Sequence, residues 1–505
     1  MIVGTDLFKR LLQEINNTPA IDTHTHIPWR LPDSSPCATG LGDILFYHYI
    51  ITELICAGMP AELLEPNRPL EERISKSLKY LPRIRNTTTY WCLAQILSDI
   101  YGFQDDISRM KVDGDPRLKA LQCERPLEPD AQAAKGEAPS IEPGWRSLEE
   151  TIKECRARED WAQYVQKDKA HIEATFVTVE YWEAENWNLF KRHQENLGFR
   201  ENPGFLGALR IDSLVATSNM REAMGKLQEA SNTPIASLSH VKEALGKVIE
   251  KFIDGGRPAG KAWIVALAGS FPPEHEFQGL DHIDRLQAER VLQRILKGES
   301  RSAGSDSGAE IECDTGRGYN ASARCEAKVL SDYIIHEILS LAQDYGLVVQ
   351  LLLGIRRPMP GGKAITGFSP RTIAGLCRTF HDYPRVKFDI FLGSSVLSQD
   401  LVVAAKNYPN VYVGCNWWYN LNPTYIRNFL RERLELLPGN KINAFYSDAY
   451  CMEWSYAKAK LVRLQLAAVL AEKVIEGYMT EDAALELARM LLLENPKELY
   501  LGDHV

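Results

Sequence analysis

Short apolar runs alternate with longer stretches of helical periodicity over most of the chain. The runs are rich in Val, Ile, Leu and Phe and do not alternate strictly with polar residues, which is typical of parallel strands buried on both faces. Most are separated by enough residues for a crossover helix. The predicted strands are residues 20–27, 171–179, 204–211, 261–268, 346–354, 386–392, 411–416 and 441–447.

Eight such units predict an α/β protein with a (β/α)8 TIM barrel, whose functional groups lie at the carboxyl ends of the strands. The chain divides into residues 1–35, an N-terminal helix and the first barrel strand, residues 36–165, a helical insertion or cap, and residues 166–505, the remainder of the barrel. Within the last part, residues 297–324 are rich in Ser, Gly and Asp and predict a surface insertion.

Composition narrows the class of protein. The 505 residues are 45% hydrophobic and 25% charged, as in an ordinary globular protein. A net charge of -9 and the lack of a basic stripe give no electrostatic basis for binding nucleic acid or an anionic membrane. The mixed charges and helical apolar spacing of residues 1–17 predict neither a signal peptide nor a membrane span, and no long apolar run occurs elsewhere. Ten scattered cysteines predict reduced thiols and a cytoplasmic location.

The first strand carries Asp22, His24 and His26 at every second position. Alternate side chains of a strand share a face, so the two imidazoles point together. Neutral imidazole is a common ligand of divalent transition metals, and Asp22 could hold an imidazole N–H from the same face. The alternative is that two histidines cap a core strand and no metal is bound.

The eighth strand ends in Ser447 and is followed by Asp448. In a closed barrel the eighth strand pairs with the first, which places Asp448 beside the two histidines. A carboxylate there completes a two-imidazole, one-carboxylate metal site or acts as a general base. The alternative is an N-cap for the next helix. His48, on the helical insertion, either faces the mouth of the barrel or is a surface histidine.

Other strand ends carry groups suited to a polar ligand. Arg210, at the end of the third strand, needs a partner, either Asp212 or an anionic substrate. Arg357 lies in a basic, glycine-containing segment after the fifth strand, which forms either an anion clamp or a solvated loop. Trp417 and Trp418 follow the seventh strand, where they stack on a sugar face or pack in the core.

These motifs together resemble the uronate isomerase (glucuronate isomerase) family of the amidohydrolase superfamily. The resemblance is carried by D-x-H-x-H in the first strand, R-x-D from Arg210, W-W-aromatic-N from Trp417, and Asp448 followed by a tyrosine-bearing helix. It implies one divalent metal, usually zinc, surrounded by His24, His26 and Asp448. It also implies a sugar-acid pocket and a homo-oligomer. The residues of that pocket would be Arg210, Arg357, Trp417, Trp418 and His48.

The chain departs from the family pattern at several substrate-facing positions. Tyr450 stands where the family has an arginine after the eighth-strand aspartate, and Leu352 stands where it has a histidine in the fifth strand. The arginines that follow the family's His-Tyr pair are replaced after Tyr49. These departures concern the substrate more than the fold.

The first hypothesis for function is a metal-dependent aldose–ketose isomerase that acts on a uronic acid or related sugar acid. Asp448 relays a proton, Tyr49 or Tyr450 is the second acid or base, and Arg357 or Arg210 holds the substrate carboxylate. A mononuclear metal-dependent hydrolase of the same superfamily is the second hypothesis. A non-catalytic homologue that binds a sugar acid is the third.

Overall fold

Seven parallel strands form one curled sheet in a computed structural model of the chain, which describes residues 2–29, 36–109, 144–196, 204–216, 220–254, 264–271, 275–298, 320–355, 371–416 and 421–502. The strands are neighbours in sequence order. They are β1 Ala20–Thr25, β2 Ile172–Glu180, β3 Phe205–Arg210, β4 Ile264–Phe271, β5 Val348–Leu353, β6 Phe388–Leu392 and β7 Val411–Asn416. Strands β1, β5 and β6 are buried along their whole length. The apolar composition of β5 and β6 predicts this, whereas β1 is buried although four of its six residues are polar.

The eighth predicted strand, residues 441–447, closes the ring without forming a regular strand. Its Asn443 N–H donates to Val413 of β7, and the N–H of Asp448 just beyond it donates to His24 of β1. Side chains of β1 bind backbone groups of this segment that would otherwise pair with a neighbouring strand. The Asp22 carboxylate accepts a hydrogen bond from the Ser447 N–H, and the Thr23 hydroxyl donates one to the Phe445 carbonyl. The prediction of a (β/α)8 barrel is therefore confirmed, whereas the prediction of a regular eighth strand is wrong.

Helices fill the connections on the outside of the barrel. Between β1 and β2 and before β1 they are α1 Asp6–Asn17, α2 Leu41–Leu45, α3 His48–Cys56, α4 Leu70–Leu78, α5 Thr88–Asp99, α6 Trp145–Arg156 and α7 Trp161–Gln163, with a π-helical turn at Tyr164–Lys169. Between β2 and β5 they are α8 Ala184–Asn196, α9 Asp212–Val215, α10 Met220–Ser231, α11 Leu238–Asp254, α12 Arg285–Lys297 and α13 Asn320–Tyr345. The rest are α14 Arg371–Asp382, α15 Ser398–Asn407, α16 Pro423–Leu436, α17 Met452–Ile475, α18 Glu481–Arg489 and α19 Asn495–Leu501, with a π-helical turn at Met490–Glu494.

Helix α1 shows how the sequence sets these elements. Thr5 caps it by accepting a hydrogen bond from the Phe8 N–H, and Leu11 and Ile15 repeat the apolar spacing that buries one face. That face packs on α17, whose residues are buried on nearly every side because α5 and α16 also contact it. Helix α17 is thus a central support, and it begins four residues after Asp448.

The helices α2 to α7 lie in the segment predicted as a helical insertion, whose status as a separate unit stays a prediction. Residues 299–319 of the predicted surface insertion lie outside the described residues.

No helix in the described part of the chain is both long and apolar enough to cross a membrane. Cys155 is disulfide-bonded, unlike the free thiols at Cys37, Cys92 and Cys451, so the expectation of reduced cysteines throughout is wrong. Pairing depends on tertiary contact, which spacing did not reveal.

Candidate active site

His24 and His26 come together at the carboxyl end of β1, as the strand periodicity predicts. Their ring centroids are 5.2 Å apart and the rings are nearly perpendicular. Asp448 joins them across the closing segment, with its Oδ1 3.3 Å from Nε2 of His26. One ligand atom from each of the three residues lies within 4.8 Å of the others. This His24–His26–Asp448 group can hold a metal ion.

The backbone of Asp448 aims its carboxylate at the histidines. Its φ of 53° is in the left-handed region, which Asp tolerates better than most residues. The backbone N–H donates to the His24 carbonyl over 2.9 Å, and the carbonyl accepts from the Tyr47 hydroxyl over 2.8 Å. Cys451, and not Asp448, is the N-cap of α17. The helix-capping alternative is therefore excluded.

The charge state of this group suits a divalent cation. Burial, together with nearby His26, lowers the pKa of His24 to about 4, so its imidazole is neutral at pH 7. Burial acts to raise the pKa of Asp448, but the hydrogen bond and charge of His26, with Lys458 nearby, hold it well below its usual range. A neutral imidazole and an ionised carboxylate are the forms that bind metal. The donor set fits a divalent transition metal.

Tyr49 is the tyrosine that contacts this carboxylate. Its hydroxyl, buried on α3, donates to Oδ2 of Asp448 through a short hydrogen bond. Burial and the Asp448 charge raise the pKa of Tyr49 well above its ordinary value, so the phenol stays protonated. Tyr450 is placed differently, because its side chain is 41% exposed and its ring lies 5.2 Å from the His26 ring. Of the two tyrosines predicted from the sequence, Tyr49 thus contacts the Asp448 carboxylate and Tyr450 contacts the His26 ring.

His48 lies at the edge of this aromatic cluster. Its ring is 3.9 Å from the Tyr49 ring and 4.8 Å from the Tyr450 ring, measured between centroids. It is half-buried at the first residue of α3. His48 is therefore a partly exposed histidine that packs on the rings of Tyr49 and Tyr450, and its role in the pocket stays a prediction.

Arg210 lies at the end of β3 and is paired with two carboxylates. Its Nε and Nη2 donate to Asp212 over 3.2 and 2.6 Å, and its Nη1 donates to Glu180 over 2.7 Å. Burial acts to lower the pKa of Arg210, but Asp212 and Glu180 outweigh it and raise the pKa. Of the two partners predicted for Arg210, the structure provides Asp212, and Glu180 of β2 is an addition.

The prediction that Asp22 holds an imidazole N–H of the same strand is wrong. Its carboxylate accepts from the Ser447 N–H over 2.8 Å and from the Ser455 hydroxyl over 3.0 Å, so it ties β1 to the closing segment and to α17. The imidazoles of His24 and His26 form hydrogen bonds with other residues. Nδ1 of His24 lies 2.9 Å from Oε1 of Gln350, and Nδ1 of His26 lies 2.9 Å from the Thr178 hydroxyl.

Three residues predicted to line the pocket lie outside the described residues. Arg357 follows β5 and the described Ile355, while Trp417 and Trp418 follow β7 directly. In the sequence, each of these positions comes shortly after the end of its strand. Their roles stay predictions.

Lys458 is a residue of the site that sequence reasoning missed. It is buried on α17, donates to the Tyr47 hydroxyl over 2.6 Å and to the Ser447 carbonyl, and lies 4.8 Å from the centroids of the Tyr47 and Tyr49 rings. Its charge helps to lower the pKa of Asp448. The sequence did contain a sign of this role, because Lys458 lies between two alanines in an apolar helix, where a solvated lysine is not expected.

Substitution of Lys458 by methionine will change how stability depends on pH. Burial lowers the pKa of Lys458 to about 8 from 10.5, so the folded protein binds fewer protons than the unfolded chain between these pH values. The buried ammonium opposes folding below pH 8, by about 3 kcal/mol, and this penalty fades as the pH rises toward 10.5. Denaturant unfolding at pH 7 to 10 should show the wild type gaining stability relative to Lys458→Met. Lys460→Met, which removes a half-exposed lysine from the same helix, is the control; parallel pH curves for wild type and Lys458→Met would contradict the assignment.

Comparison with known proteins gives distant but consistent matches. No protein-family model matches the chain. A uronate isomerase of Thermotoga neapolitana is 21% identical over 300 residues, which cover 57% of this chain and 59% of that protein. The chain therefore aligns with about three fifths of the length of this curated relative.

The similarity in structure extends over the whole chain. A crystal structure of uronate isomerase from Thermotoga maritima superposes with a TM-score of 0.75 at 17% identity, covering 99% of this chain and 98% of that one. Glucuronate isomerase from Caulobacter crescentus gives a TM-score of 0.72 at 17% identity and covers 98% of this chain and 94% of that one. At these identities the superpositions establish a common barrel fold.

Proposed function

We propose that the chain, which is similar to uronate isomerases in sequence and in fold, is a metal-dependent aldose–ketose isomerase acting on a uronic acid or a related sugar acid. One observation carries the proposal. The protonated Tyr49 hydroxyl is hydrogen-bonded to the ionised Asp448 carboxylate beside His24 and His26. This pairs a proton donor with a proton acceptor at a site with metal-binding chemistry.

The metal would be held by His24, His26 and Asp448, and we propose a single divalent ion, zinc by resemblance. When bound, such an ion polarises the carbonyl and the adjacent hydroxyl of the open-chain sugar. The His24 imidazole, which is buried and neutral at pH 7, keeps a lone pair for this purpose, and the ionised Asp448 carboxylate supplies the negative charge.

Tyr49 and Asp448 form the proposed proton-transfer pair. Isomerisation moves a hydrogen between C1 and C2 of the sugar, so one group must release a proton while another accepts one. Tyr49 donates from its hydroxyl, since its raised pKa keeps it protonated, and Asp448 accepts at a carboxylate oxygen. The ring of Tyr450 lies against His26 and His48.

The substrate carboxylate is assigned to Arg357 in preference to Arg210. Arg210 is held by Asp212 and Glu180, and two carboxylates around one guanidinium leave a net negative charge that repels a third. Arg357 comes shortly after β5 in the sequence, in the basic segment for which an anion clamp is predicted. Trp417 and Trp418 are proposed to stack on the sugar ring, and His48 to line the pocket beside Tyr49.

The Tyr49–Asp448 pair favours isomerisation over hydrolysis. In both reactions the Asp448 carboxylate would accept a proton, but the transfer of a hydrogen between C1 and C2 also uses an acid beside the base, and the Tyr49 hydroxyl lies on Oδ2 of Asp448. The experiment below separates the two activities and also tests the non-catalytic alternative.

The test is metal content combined with isotope exchange. Wild-type protein is expected to contain one divalent metal per chain by elemental analysis and to form the ketose from D-glucuronate or D-galacturonate, with solvent deuterium entering the product. His24→Ala should lose both properties, whereas His282→Ala, which removes an exposed histidine, should keep them. Metal without isomerisation or exchange would point to the hydrolase, and protein without metal would overturn the proposal.

A further inference from the structure

Gln350 lies inside the barrel on β5 and is completely buried. Its side-chain amide has three partners. Nε2 donates to the Thr23 carbonyl over 2.7 Å and to the Tyr500 hydroxyl over 2.9 Å, and Oε1 lies 2.9 Å from Nδ1 of His24. Since a carbonyl only accepts, the amide atom that faces Thr23 must be the nitrogen. The orientation of the amide is fixed by this contact.

The orientation of the amide fixes the tautomer of His24. Oε1 of Gln350 can only accept a hydrogen bond, so Nδ1 of His24 must carry the proton. Its Nε2 then keeps the lone pair. His26 has no comparable constraint from its Nδ1 partner, because the Thr178 hydroxyl can either donate or accept. Gln350 therefore acts on one of the two imidazoles.

Gln350 is itself held from the far end of the sequence. The Tyr500 hydroxyl accepts from Nε2 of Gln350 and donates to Oδ2 of Asp389 on β6 over 2.6 Å. Asn443 of the closing segment donates to the same carboxylate oxygen over 2.9 Å. Tyr500 belongs to α19, the last helix, and is buried. A continuous chain of buried hydrogen bonds thus joins α19 to His24.

We propose that Gln350, held by Tyr500 and Asp389, is a positioning residue that locks His24 in its Nδ1–H tautomer and so presents Nε2 to the metal. The inference rests on the metal site of the proposed function, but it assigns a role to residues outside that site. It also makes α19 part of the support of the metal site. Partners of this kind commonly change metal affinity 10- to 100-fold when they are removed.

Metal affinity is the first test. Gln350→Met keeps the volume of the side chain and removes the acceptor for Nδ1, so the apparent dissociation constant for Zn²⁺, measured by chelator competition, should rise about 10- to 100-fold. Tyr500→Phe leaves Gln350 with the Thr23 contact and should fall between Gln350→Met and the wild type. The control is Tyr383→Phe, which deletes another buried tyrosine hydroxyl bonded to a histidine, His336. It should lose stability without losing zinc affinity.

The tautomer itself is the second test, and it needs no metal. Long-range proton–nitrogen correlation spectra of metal-free, histidine-labelled protein should show the proton of His24 on Nδ1, with the signals identified by their loss in His24→Ala. In Gln350→Met this preference should disappear, while the His336 signals stay unchanged. An Nε2–H tautomer in the wild type, or equal zinc affinity in wild type and Gln350→Met, would overturn the inference. Wild-type protein that binds no zinc but shows the Nδ1–H form would instead overturn the proposed function alone.

Discussion

Asp448→Asn will lower kcat/KM for isomerisation by about 10⁴-fold or more, because it removes both an anionic metal ligand and the proton acceptor of Tyr49. The fold should tolerate the change. Asparagine adopts the left-handed conformation as readily as aspartate, and the backbone bonds of residue 448 to His24 and Tyr47 do not involve its side chain. The loss is thus expected in activity and bound metal, with little change in the midpoint of thermal unfolding.

The measurements for Asp448→Asn are the initial rate of ketose formation, the metal content and thermal unfolding on one preparation. Asp332→Asn is the matched control, because Asp332 is another buried carboxylate, paired with Lys328 on α13 and outside the site. It should retain metal and activity. Retention of both by Asp448→Asn would show that the His24–His26–Asp448 group does not perform the chemistry.

Tyr49→Phe will lower kcat by about 10²- to 10³-fold while leaving the metal in place. The variant removes only the hydroxyl that donates to Asp448, and the ring keeps its packing 4.9 Å from Tyr47 and 3.9 Å from His48. The lost proton donor should therefore appear in kcat more than in KM, because binding of the ground state does not depend on it.

Tyr450→Phe is the comparison for this prediction. Tyr450 is 41% exposed, and its ring packs on His26, whereas Tyr49 is buried with its hydroxyl on the Asp448 carboxylate. Its effect on kcat should be within tenfold of the wild type, with metal content unchanged in both variants. A larger loss in Tyr450→Phe than in Tyr49→Phe would transfer the proton-donor role to Tyr450.

The choice between these tyrosines shows where sequence reasoning reached its limit. Tyr49 and Tyr450 both stand beside recognisable residues, His48 and Asp448, and nothing in the local sequence separates them. The separation comes from the packing of α3 against the start of α17, which buries Tyr49 over the carboxylate and leaves Tyr450 at the mouth. Contacts between elements 400 residues apart have no local signature.

By itself the sequence determined the barrel and the corner where His24, His26 and Asp448 meet. Apolar runs of strand length separated by helical stretches specify parallel strands, and a period of two puts His24 and His26 on one face. Closure of the ring then brings the eighth segment, and with it Asp448, to the first strand. These features follow from local periodicity and chain order, which can be read without coordinates.

Only the tertiary structure decided how that corner is supported. Gln350 and Lys458 are polar residues in apolar segments, and the partners of Gln350, Tyr500 and Lys458 lie on other elements. The eighth segment is irregular because side chains from β1 take its backbone bonds. A buried polar group must find a partner wherever the fold supplies one, so its role is set by long-range packing and cannot be obtained from local sequence.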